Sequence, residues 1–217
     1  MPTCRHVVWD WNGTLLDDVA LCVDIMNGML ARRGLPPIDL PFYRAVIEFP
    51  VEGYYRKMGF DFAREPFEDL SDEYIAAYQA RWRGCGLQRG AAETMDALVA
   101  AGVGQSVLSA SKAGHLTEQL AHFDVPRRLL AVAGVEDHHG RGKGHLAEAH
   151  VAGLGLPSAS VVFVGDTLHD AEVARLAGAP CVLLACGHYS RQRLTTAGVP
   201  VVEGFDELRE HLLGRFL

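Results

Sequence analysis

Asp10, Ser109 and Asp166 each follow a short apolar run, and their types suit them to do chemistry together. Asp10 comes after Val7-Val8-Trp9 and opens Asp10-Trp11-Asn12-Gly13-Thr14-Leu15. Ser109 closes the run 105–108. Asp166 sits in Val164-Gly165-Asp166-Thr167-Leu168-His169-Asp170. Carboxylates act as nucleophiles and proton carriers, and a hydroxyl donates to an anion. Singly, each residue has a plainer use. Asp10 can cap a turn, and Asp166 or Thr167 can start a helix running to Ala177.

The elements around these residues decide whether they meet. Apolar runs at 6–9, 105–108, 129–132, 160–164, 181–185 and 199–202 read as strands. Helical periodicity fills the gaps at 92–101, 113–123, 145–152, 170–177, 191–197 and 206–213. Gly102 and Gly178 follow two of these helices, as left-handed caps do. Near-continuous apolar strands alternating with helices predict an α/β fold with a parallel, Rossmann-like sheet covered on both faces. Ligands then gather at the carboxyl ends of the strands. From 16 to 87 no convincing strand is read. Helices are expected at 19–33, 41–48, 51–58 and 71–82, with Val19, Cys22, Ile25, Met26, Met29 and Leu30 along one side of the first. The expected division is a catalytic core of 1–15 and 88–217, with a small helical cap domain of 16–87 inserted after the first strand.

The Asp-x-x-Gly-Thr-Leu run at the N-terminus, the Ser after strand two, a Lys, and Gly165-Asp166 with Asp170 occur in order on this strand pattern. Together they resemble the haloacid dehalogenase superfamily, in its phosphoglycolate phosphatase-like and β-phosphoglucomutase-like branch with a helical cap. The resemblance covers essentially the whole chain. It implies phosphatase activity on a small phosphorylated substrate, with Asp10 as the nucleophile that forms an aspartyl-phosphate. It implies Mg²⁺ held by Asp10, the Asn12 carbonyl and Asp166, with Asp170 beside them. Ser109, the N–H groups of Ala110 and Ser111 at a helix N-terminus, Thr14 and Lys143 are then expected to bind phosphate. Such a set is physically sensible, because phosphoryl transfer needs positioning and charge stabilisation. Lys112 is a rival to Lys143; Gly142-Lys143-Gly144 precedes the helix before strand four, where the family places its lysine.

The sequence departs from the family at Asn12, where its phosphatases carry an acid/base Asp. An amide cannot shuttle a proton, and general acid–base help is worth roughly 10²–10⁴-fold. Three outcomes follow: a phosphatase in which water, a good leaving group or His138, His139 or His169 covers the loss; a phosphonate-cleaving hydrolase, for which Lys57 is the cap's lysine; or a catalytically impaired binding or regulatory protein. The cap is expected to close over the site, with 48–53 facing it and Tyr54, Tyr55 and Arg56 as candidates for contacting substrate.

The remaining features narrow the class. The 217 residues are 49% hydrophobic and 22% charged, ordinary values for a globular protein. A net charge of −7 makes nucleic acid a poor partner. Five cysteines without a Cys-x-x-Cys spacing argue against a disulfide framework or structural zinc. His145 and His150 come nearest to a metal pair, and the histidines read as surface residues. No signal peptide or membrane span is apparent. A cytoplasmic protein, monomer or homodimer, is the expectation.

Overall fold

The structure is a computed structural model that describes residues 4–136 and 143–214. His138 and His139 lie outside the described residues, as does the side chain of His145. In chain order the elements are β1 (His6–Trp9), β2 (Leu16–Asp17), α1 (Val19–Arg32), α2 (Leu40–Val46), α3 (Val51–Lys57), α4 (Phe67–Arg81), β3 (Gly86–Leu87), α5 (Ala91–Ala100) and β4 (Gly104–Lys112). They continue with α6 (Ala113–His122), β5 (Ala131–Val135), α7 (Gly144–Gly153), β6 (Val161–Gly165), α8 (Leu168–Leu176), β7 (Cys181–Leu184), α9 (Arg191–Leu194), β8 (Val201–Val202) and α10 (Phe205–Leu213).

Six strands form one parallel sheet in the order β5-β4-β1-β6-β7-β8. β1 is wholly buried, as its unbroken apolar character requires. Val7 and Trp9 pack on one face with α5, α6 and α10. Val8 packs on the other with α7, α8 and residues of α1–α4. The strand order reverses at β1, so its carboxyl end opens onto the crevice where ligands bind in such sheets. Trp9 is level with Val107 and Val164, which brings the ends of β1, β4 and β6 to the same edge.

Three strand expectations shift. β4 runs to Lys112 rather than stopping at 108, because a bulge lets Lys112 pair with Val135. β5 begins at Ala131, because Pro126–Arg128 forms a 3₁₀ turn held by Arg128 on Asp96. Residues 16–87 are also not free of strand. β2 and β3 pair antiparallel, Leu16 opposite Leu87 and Asp17 opposite Gly86. Two residues carry no readable period, so this ribbon at the base of α1–α4 was invisible in the sequence. The six α1 residues expected on one side are all buried.

Candidate active site

The carboxyl ends of β1 and β6 place two acids side by side. The Asp10 N–H donates to the Val164 carbonyl at 2.8 Å, which extends the β1–β6 ladder and sets Asp10 beside Asp166. Asp170 joins them through a capping box. Thr167 caps α8, and Asp170 Oδ2 accepts from the Thr167 N–H at 3.0 Å, the Thr167 hydroxyl at 2.7 Å and the Asp166 N–H at 3.1 Å. The alternative use of Thr167 as a helix start therefore holds, and it orients an acid for the site. Oxygens of Asp10, Asp166 and Asp170 lie within 4.8 Å of one another.

Lys143, buried just before α7, donates to Asp10 Oδ1 and lies 2.6 Å from Asp170 Oδ1. Asp166 accepts at Oδ1 from the Thr14 hydroxyl at 2.7 Å and at Oδ2 from the His188 N–H at 2.6 Å. Gly13 and Gly187 let the backbone come this close. A Cβ at either would collide with Asp166 Oδ2, and Gly13 has a φ of 73°.

Three carboxylates, Asp166 and Asp170 buried and Asp10 partly so, face one ammonium, an excess of two negative charges. Burial pushes the Asp10 carboxyl up to about 7, with Asp170 and Asp166 adding to the push and Lys143 opposing it. Burial likewise pushes Asp166 up to about 6, reinforced by Asp170 and opposed by His188. Burial also acts on Asp170, but Lys143 outweighs it and holds that carboxyl below its ordinary range. Burial opposes charge on Lys143 as well; Asp10 and Asp170 nevertheless raise it above the usual ammonium value. Oxygen-only donors with two charges uncompensated match the needs of a hard divalent cation, so the residues present fit Mg²⁺.

A second buried network adjoins the first. Asn12 Nδ2 donates to Asp18 Oδ2 and to the Tyr78 hydroxyl, both at 2.7 Å, and Asn12 Oδ1 accepts from the Ser111 hydroxyl at 2.7 Å. Tyr78 donates to Asp18 Oδ2 at 2.7 Å, and the Gly13 N–H donates to Asp18 Oδ1 at 2.9 Å. His188 Nε2 stands 3.5 Å from Asp18 Oδ1, and its Nδ1 meets the Tyr43 hydroxyl at 2.9 Å. Burial disfavours the Asp18 charge, yet His188, Tyr78 and Asn12 hold the carboxyl below its ordinary range. Burial disfavours charge on His188 too, but Asp18 foremost, with Asp166 and Asp10, raises it to about 9.

These networks floor a cavity of about 590 Å³ whose far wall comes from α1–α4 and the 47–51 stretch. Asp10, Asn12, Ser109, Ala110, Ser111, Lys143 and Asp170 line it, as expected from sequence. Thr14 does not: it is fully buried, its hydroxyl is engaged by Asp166, and it supports that acid from behind. Arg56 does not either. It points outward, pairs with Glu52 at 2.8 Å and lies over Phe62. Lys57 pairs with Glu48 away from the cavity. Ala110 and Ser111 belong to the extended β4, not to a helix N-terminus, and the Ser111 N–H is already bonded to Ser109 Oγ at 3.0 Å. Lys112 and His169 lie at the cavity as well, and of 48–53 the stretch Phe49, Pro50 and Val51 lines it. Asp18, Tyr78, His188 and Tyr43 went unread. The local signal at Asp18 is no more than that of an acid before a helix, and the other three carry none.

The haloacid dehalogenase-like hydrolase family model matches residues 7–184. The chain belongs to that family. It is 32% identical over 199 residues to an N-acetylmuramic acid 6-phosphate phosphatase of Pseudomonas putida, covering 85% of this chain and 84% of the relative. A phosphoglycolate phosphatase of Xylella fastidiosa is 28% identical over 200 residues, covering 87% and 83%. A haloacid dehalogenase-like protein of Streptococcus pneumoniae superposes with a TM-score of 0.83 over 97% of this chain and 99% of that one at 14% identity, a likeness of fold. The six-stranded core and its family are thus those expected from the sequence. No described helix is long and apolar enough to cross a membrane.

Proposed function

We propose that this hydrolase is a Mg²⁺-dependent phosphomonoesterase for a small phosphorylated metabolite. The observation that carries the proposal is the set Asp10–Asp166–Asp170 with Lys143, which has two negative charges in excess at the carboxyl edge of the sheet. Relatives named as phosphatases support it. Asp10, Asp166, Asp170 and the Asn12 carbonyl would hold Mg²⁺, which supplies positive charge against the phosphate when bound.

Asp10 attacks phosphorus, the P–O ester bond breaks, the departing oxygen takes a proton from water, and an aspartyl-phosphate forms. Lys143 favours the ionised form of Asp10 against the effect of burial and lessens the repulsion between carboxylate and phosphate. Ser109 spends only a lone pair on Ser111, so its proton is available to a phosphate oxygen. Water then attacks phosphorus and frees Asp10. Residues 16–87 act as a cap domain over the core of 1–15 and 88–217, swinging on the two-stranded ribbon and excluding water on closure.

Asn12 favours a second reading. Both hydrogens of its amide are committed, to Asp18 and Tyr78, leaving none for a leaving oxygen. A protein impaired in catalysis and retained for binding would show the same feature. Phosphate release from a panel of phosphomonoesters, with Mg²⁺ against chelator and wild type against Asp10→Asn, separates the two. The enzyme shows Mg²⁺-dependent release that Asp10→Asn abolishes, and acid quench during turnover yields a phosphorylated peptide containing Asp10. Release that survives Asp10→Asn would sink the assignment.

A further inference from the structure

We infer that the substrate's organic part is electrically neutral and largely apolar or aromatic, so that small phosphorylated acids such as phosphoglycolate are disfavoured. The inference rests on the phosphomonoesterase reading of the same cavity and names its substrate class. The wall facing the catalytic acids is built mainly from Met26, Ile47, Phe49, Tyr54, Tyr74 and Ile75, with Ser71 and Gln79 as neutral polar members, and it holds no cation among the described residues. Among the described residues its one charged member is Asp18, itself an anion. The basic residues of α1–α4 are used elsewhere. Arg33 is bound by Glu65 and Glu73, Arg56 by Glu52, Lys57 by Glu48 and Arg81 by Asp24, while Arg44 donates to the Cys186 and Gly187 carbonyls.

The deep cations are also taken, Lys143 by Asp10 and Asp170 and His188 by Asp18. Lys112 is exposed at the mouth on β4, the strand that carries Ser109. A carboxylate meeting it there stays in water, where an ion pair discriminates little. A carboxylate carried inward would lose its hydration without gaining a counter-charge, the least favourable kind of burial. The roughly 590 Å³ of space is of ligand-pocket size and exceeds what a two-carbon acid fills. The Tyr54 ring adds to this apolar wall, its hydroxyl turned into the protein and sealed from solvent.

The test compares 2-phosphoglycolate, its neutral amide (phosphoglycolamide) and 2-phenylethyl phosphate. Turnover of wild type with Mg²⁺ gives kcat/KM, and calorimetry on Asp10→Asn with Mg²⁺ gives affinity without turnover. The expected order is phenylethyl ester, then amide, then acid, with the ends about 10²-fold apart. Ile75→Lys, which adds a cation to the wall, should narrow the acid-to-amide gap by about 10-fold, whereas a merely structural lesion lowers both probes alike. Equal or better binding of the acid than of the amide overturns the inference, as does failure of the phenylethyl ester to bind. Absence of turnover with all three removes the phosphatase reading instead, and the calorimetric order still judges the substrate class.

Discussion

Restoring an acid at position 12 would seem the direct way to accelerate this protein, yet the structure predicts that Asn12→Asp alone fails. Asn12 Nδ2 lies 2.7 Å from Asp18 Oδ2. A carboxylate in its place would face another at that distance, a repulsion of about 6 kcal/mol at an effective dielectric of 20. The folded protein takes up a proton instead. Holding a carboxyl of ordinary value near 3.9 protonated at pH 7 costs about 4 kcal/mol, which caps the loss of stability. The new group's pKa is raised on folding, so the penalty is absent below about pH 4, near 1.5 kcal/mol at pH 5 and largest at neutrality.

Exchanging the two residues, Asn12→Asp with Asp18→Asn, removes the repulsion, while His188 loses the carboxylate that favours its proton. The amide at 18 accepts from the Gly13 N–H and donates to the carboxylate at 12, and Tyr78 reverses its two bonds. Urea unfolding at pH 5 and 7 should show a pH-dependent deficit for the single variant and part of it recovered in the exchange. Phosphate release by the exchanged protein should rise toward the 10²–10⁴-fold worth of general acid–base catalysis, more for alkyl than for nitrophenyl esters. A single variant as stable as wild type at pH 7 would refute the electrostatic reasoning. A stable exchange with no gain on alkyl esters would refute the role given to position 12.

Three further outcomes follow from the packing. Lys143→Met strands Asp10 and Asp170 without their ammonium and should lower stability by about 3–5 kcal/mol; Mg²⁺ should recover part of it in thermal melts, and a melt indifferent to both changes would contradict the charge imbalance. Gly187→Ala drives a methyl into Asp166 Oδ2, so Mg²⁺-dependent activity should fall about 10–100-fold, read as a raised Mg²⁺ requirement in phosphate release. His6, bonded to Ser106 at 2.8 Å and buried, is pushed down to about 4, by burial first and His150 second. Its folded value lies below the unfolded one, so its contribution is whole above pH ~6.5 and about 3 kcal/mol is lost as pH falls toward 4. Urea titrations of wild type and His6→Phe between pH 7 and 5 check this, since the slope should flatten in the variant.

The chain determines by itself the apolar runs that become β1, β4, β6 and β7, and therefore the edge at which Asp10, Ser109 and Asp166 emerge. Period and run length are local properties, so they survive in a linear text. The α1 face was legible for the same reason. Tertiary structure alone decided which groups share a field. Thr14 turned inward to Asp166, Arg56 outward to Glu52, and Asp18, Tyr78 and His188 assembled around Asn12 from positions 18, 78 and 188. It also decided that no cation of α1–α4 would face the cavity, because each is drawn to a nearer acid or carbonyl. Electrostatic partnership depends on distance and burial, and the order of residues along the chain encodes neither until the sheet has brought remote segments together.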